Sequence, residues 1–193
     1  VLYLLRINSV FRRIPKARLD KHYKGLMATI RTLPTTNYVY FEALLGHAFQ
    51  TLGATTMMLF SDGVIHSTDA DTYVRNERPQ YIASYLLGGL LKKVLRLRSV
   101  SYRTHISKSK LQEIKNLVAN MRESDLPSYV YHGVPVGVHA KISTIHYFLT
   151  GEFNPSDARH VEKLREKLMY AMIATEVAHS IAEKEKPSLV FTI

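Results

Sequence analysis

The 193-residue chain contains no cysteine. This excludes disulfides, thiolate nucleophiles and cysteine-ligated zinc, and it permits a reducing compartment. Tryptophan is also absent, whereas tyrosine occurs 12 times. No apolar run approaches the roughly 18 residues a membrane-crossing helix needs. No internal repeat or low-complexity tract is visible. HExxH, the P-loop, GxSxG and a complete GxGxxG are all missing. So are the RNP, KH and zinc signatures of nucleic-acid modules. Acid is scarce: 16 Asp and Glu stand against 26 Lys and Arg, a formal net charge of +10.

What is present suits a globular chain, with 46% apolar and 22% charged residues. The length suffices for a hydrophobic core without a staple. The positive charge is concentrated. Residues 1–24 hold seven basic residues (Arg12 and Arg13 among them) against Asp20 alone. Residues 91–110 hold seven more, including Lys92, Lys93, Arg96 and Arg98, with no acid. The remainder is slightly acidic, so an anionic partner is expected at these two segments. In the first, an apolar stretch precedes the charges, the reverse of a secretory signal. It reads either as a basic amphipathic segment over 1–23 or as a plain surface arm. In the second, Leu90, Leu91, Val94, Leu95 and Leu97 accompany the cations, which suits an anionic membrane surface. Tyr102 among the cations suits nucleic acid.

Periodicity then organises residues 24–193 as one α/β domain. LMATIRTL (26–33) predicts a strand, and PTTNYVYFE a turn punctuated by Pro34 and Asn37. Phe41, Leu44, Leu45, Ala48, Phe49 and Leu52 recur at helical spacing, and Gly53 stands where a helix C-terminal glycine belongs. TTMMLF (55–60) predicts a second strand, ending in Ser61-Asp62-Gly63. Strand, helix, glycine and strand in that order predict a βαβ unit and a parallel sheet of Rossmann-like character. A polar insert follows over 64–78, then helical patterns over 81–97 and 108–122. LPSYVYHGVPVG reads as strand or turn, and a helix is expected from about Gly137. Pro155-Ser156 opens a long helix that Pro187 stops, and LVFTI reads as a buried strand. The apolar ending and the initial Val1 suggest a piece of a longer protein.

In open α/β sheets ligands bind at the carboxyl ends of strands. The loops at 34–42 and 62–71 are therefore the candidate site. Thr35, Thr36, Asn37, Gly63 and His66 are candidate substrate contacts, with Gly133 and Gly137 in support. A transferred hydroxyl must lose a proton to a nearby carboxylate or imidazole. Asp62, fixed at a strand end, is the first candidate, and Glu42 and His47 are the others. Asp62-Gly63 also reads as a plain tight turn, and Asn37 as a helix cap. Asp69-Ala70-Asp71 spells a D-x-D pattern, but in a polar insert it reads as two solvated acids. His132, His139 and His146 recur every seven residues, yet Gly133 and Pro135 interrupt any helix between the first two, so no metal site is expected. His105, His160 and His179 show no partners in the sequence.

The 34–63 block, YHGVPVGVHAKISTIHYFLTGEF (131–153) and the final LREKLMYAMIATEVAHSIAEKEKPSLVFTI resemble the N-terminal half of GT-B-type glycosyltransferases, of the kind that build surface and capsule polysaccharides. The similarity covers about residues 24–193. Many such enzymes carry cysteines near the Asp-Gly turn; this chain has none, so no metal or redox role is carried over there. The resemblance implies an acceptor-binding domain that supplies the base. It implies a nucleotide-sugar donor held by a second domain that is missing here, so that this piece alone is inactive. It further implies a cytoplasmic, peripheral place at the inner face of the cell membrane and an acceptor that is a lipid-linked sugar or a polysaccharide. Two other classes stay open: a basic nucleic-acid-binding α/β protein, and a non-catalytic interaction domain of Rossmann-like shape.

Overall fold

A computed structural model of the chain describes residues 24–28, 37–60, 64–65 and 96–191. The elements are β1 (Lys24–Ala28), α1 (Asn37–Thr51), β2 (Thr55–Phe60), β3 (Arg98–Ser101), a single helical turn α2 (Tyr102–His105), α3 (Lys108–Ala119), a 3-10 turn (Leu126–Ser128), α4 (Val136–Phe148), α5 (Ala158–Glu185) and β4 (Leu189–Phe191). The protein is thus mixed α/β. Its contacts divide it into two compact units; the first spans residues 1–64, 76–104 and 182–193, the second 65–75 and 105–181.

The first unit is built on a four-stranded sheet in the order β3-β2-β1-β4. Every pairing is parallel, with Leu26 opposite Met57 and Val190, and Leu59 opposite Val100. Parallel strands covered on both faces read as continuous apolar runs. β2 does so: Thr56, Met57, Met58 and Leu59 are consecutive and all buried. The expected strand–helix–strand unit is therefore present, with β1 and β2 as neighbours in one sheet. α1 packs beside them, and the buried Thr56 hydroxyl donates to the Gly46 carbonyl at 3.1 Å. The helix ends as the sequence predicts. Gly53 takes φ +99°. Its N–H donates to the Gln50 carbonyl, and the Ala54 N–H donates to Phe49, both at 3.0 Å. This is the paired 5→2 and 6→1 closure of a Schellman motif.

Three local expectations need correction here. α1 begins at Asn37, so Tyr38–Glu42 are helical rather than a turn; packing against the sheet outweighs the weak helix preference of Tyr and Val. Residues 98–101 form β3, a strand that the basic pattern conceals. Leu97, expected on a lipid-facing surface, is 2% exposed and belongs to the core with Val100.

The second unit is helical. Ser107 caps α3, its side chain accepting from the Lys110 N–H at 3.1 Å. Ile114 and Val118 of α3 are buried. On α5 the predicted stripe of Val161, Leu164, Leu168, Met172, Val177 and Ile181 is buried throughout. The Arg165 guanidinium donates to the Val118 carbonyl at 2.6 Å. That places a cation on the electronegative end of α3, a favourable arrangement. His160, buried, stacks on Phe148 with ring centroids 4.3 Å apart and accepts from the Asn154 N–H at 3.3 Å.

Candidate functional site

In the first unit, the described site candidates all lie on α1. Asn37 opens the helix and Glu42 sits in its second turn. His47 is buried at 8% exposure. Thr35, Thr36, Asp62, Gly63 and His66 lie outside the described residues, as do Arg12, Arg13, Lys92, Lys93, the D-x-D acids and the 1–23 segment. Of the anion-contact candidates, Arg96 is exposed in a left-handed conformation at φ +55°. The Gln50 amide holds its carbonyl at 3.2 Å. Arg98 forks onto Glu185, with two nitrogen–oxygen contacts of 2.8 Å.

The second unit brings together a group of polar side chains around one carboxylate. Tyr131 and Val134 exchange backbone hydrogen bonds of 2.9 Å in both directions, closing a two-residue hairpin turn. The turn residues are His132, at φ +48°, and Gly133, at φ +77°. Two left-handed residues in succession define a type I′ turn, usually Asn-Gly or Asp-Gly. Gly137 fixes how the hairpin continues into α4. Its N–H donates to the Tyr129 carbonyl at 2.9 Å. A Cβ on it would lie 2.3 Å from the Leu126 carbonyl oxygen and 2.5 Å from the Tyr129 nitrogen. The two glycines of the YHGVPVG motif thus serve the backbone, one by its conformation and one by its lack of bulk.

The hairpin presents Tyr131 and His132 to Glu176 of α5. The Tyr131 hydroxyl donates to Glu176 Oε1. His132 Nε2 lies 2.9 Å from the same oxygen. Lys110 Nζ of α3 lies 3.7 Å from it and is also paired with Glu113 at 2.9 Å. His179, three residues beyond Glu176 and so on the same helix face, places its ring 5.4 Å from that of His132. The Glu176 side chain is 18% exposed and that of His132 49%. Burial pushes the Glu176 carboxyl up, but the hydrogen bonds from Tyr131 and His132 and the Lys110 charge outweigh it and bring it below its ordinary value. Burial and the Glu176 carboxylate together raise the Tyr131 phenol. Glu176 is therefore an anion, Tyr131 a neutral donor, and His132 an imidazole held at one nitrogen.

No family model, curated protein or solved structure matches the chain. The site must therefore be judged on its own geometry. Sequence reasoning named Gly133 and Gly137 but missed Tyr131, Lys110, Glu176 and His179, and it weighed His132 only as one of three evenly spaced histidines. A His-Gly pair between apolar residues, and Glu-x-x-His on a helix, were the signals available. His139 and His146 instead lie exposed on α4. His105 contacts the Ser180 hydroxyl at 3.2 Å. Among the described residues no three His, Asp or Glu side chains gather so as to hold a metal ion, and no helix is long and apolar enough to cross a membrane.

Proposed function

We propose that this chain is the acceptor-side domain of a glycosyltransferase, Rossmann-like in its sheet, which takes a lipid-linked or polysaccharide acceptor. The observation that carries the reading is the strand order. Four parallel strands run β3-β2-β1-β4, the first four positions of the doubly wound order 3-2-1-4-5-6. Such sheets bind ligands beyond the carboxyl ends of their strands. The loop leading from β1 into α1 and the Asp62-Gly63 turn after β2 follow those ends. Thr35, Thr36, Asn37, Gly63 and His66 are the proposed acceptor contacts, and Asp62, Glu42 and His47 the proton acceptors that the sequence offers. The nucleotide-sugar donor belongs to a further domain. The two basic segments place the protein on an anionic membrane surface, where each cation contributes about 1 kcal/mol.

The test is a titration of the chain with a polyprenyl-diphosphate sugar in detergent, beside the same lipid without its sugar and a single-stranded RNA. Saturable binding that requires the sugar is the expected result. Salt-sensitive binding of RNA, with no discrimination between the two lipids, would replace this reading by the nucleic-acid one.

A further inference from the structure

His132 occupies a backbone position that suits asparagine or glycine better. At φ +48° its Cβ crowds the following carbonyl, a contact that disfavours residues other than Gly, Asn and Asp. An asparagine would close the same I′ turn with less strain. Non-glycine residues held in such conformations cluster at functional sites. What the histidine adds is its ring, and the surroundings fix how that ring is used. Glu176 is ionised and can only accept hydrogen bonds. Nε2, 2.9 Å from Glu176 Oε1, must therefore carry the proton. In the neutral ring Nδ1 is then the basic nitrogen, on a side chain 49% open to solvent. Tyr131 holds the shared carboxylate oxygen from a second direction. A proton acceptor oriented at its far nitrogen by a carboxylate is the arrangement by which enzymes activate hydroxyl nucleophiles.

We propose that His132 is the base that deprotonates the acceptor hydroxyl, with Glu176 as its positioning residue; the assignment rests on the transferase reading. In the step, Nδ1 takes the hydroxyl proton while the acceptor oxygen forms a bond to the anomeric carbon of the nucleotide sugar. The bond from that carbon to the diphosphate breaks, and its electron pair leaves with the nucleoside diphosphate. The imidazolium is stabilised by Glu176 and returns its proton to water. The titratable groups around it are Tyr131 on the hairpin, Glu176 and His179 on α5, and Lys110 with Glu113 on α3; Tyr129 faces Tyr131.

The experiment is a sugar-transfer assay on the natural full-length protein, with His132→Asn, Glu176→Gln and Asp62→Asn compared over pH. His132→Asn suits the left-handed turn, so its melting temperature should stay within a few degrees of wild type. Its kcat should fall about 10²–10³-fold, in the range expected for a general base, at unchanged acceptor KM. Glu176→Gln should lower kcat and move the acidic limb of the pH profile to lower pH, since imidazolium is less favoured without the carboxylate. A folded His132→Asn with more than a third of wild-type kcat overturns the assignment, as does loss of activity in Asp62→Asn alone. A wild-type protein that transfers no sugar from any nucleotide sugar overturns the transferase reading, and the assignment with it.

Discussion

Glu176 is shared by three donors on three different elements, Lys110, Tyr131 and His132. A carboxylate held this way binds its proton more weakly in the folded chain than in the unfolded one. Its contribution to stability is therefore complete above the ordinary glutamate value of 4.5 and is lost as pH falls through the lower folded value. Denaturant unfolding of wild type and Glu176→Gln should show this directly. At pH 6 the variant should be less stable by about 1–3 kcal/mol, the usual worth of charge-assisted hydrogen bonds. Between pH 4.5 and pH 3 the gap should narrow, because the wild type alone has this carboxylate to protonate. A constant gap across that range would mean that the charge of Glu176 contributes nothing.

At the scale of elements, the entry to α4 depends on Gly137. A methyl group there meets the backbone of the preceding 3-10 turn at 2.3–2.8 Å, and backbone cannot step aside as a flexible side chain can. Gly137→Ala is expected to cost about 3 kcal/mol or more, at the high end for a single substitution. Gly133→Ala has open space around it and should cost only the left-handed backbone penalty, about 1–2 kcal/mol. Thermal melts of the two variants give the comparison, and equal losses would contradict the steric account. The same elements show what sequence reasoning reads well. β2, α1 and α5 were legible because their apolar residues recur at the period of the element and because Gly53 and Pro187 mark stops. β3 was not, since Arg-Ser-Val-Ser is four residues long inside a basic run and buries only Val100. The hairpin was hidden because His-Gly replaces the usual Asn-Gly. Glu176 meets His132 across 44 positions, and no local pattern encodes a contact of that range.

For the whole molecule, the decisive quantity is charge. With a net charge of +10 and two segments that carry nearly all of the excess, the protein should float with vesicles containing anionic lipid and sediment away from neutral ones. The preference should fade as salt shortens the Debye length from about 10 Å at 0.1 M to 3 Å at 1 M. Equal recovery with both vesicle types would remove the membrane surface from the proposed function. Arg98 should add little to this attraction, since its guanidinium is already engaged by Glu185. Finally, β1 lies between β2, which follows it closely, and β4, which comes from the far end of the described chain. During synthesis the ribosome delivers β4 last, after all the helices. Until then one flank of β1 has no mate, and the nascent protein carries an open hydrogen-bonding edge. Early release of the growing polypeptide would leave that edge free to recruit strands from other molecules, so truncation before Leu189 should favour aggregation over a smaller soluble product.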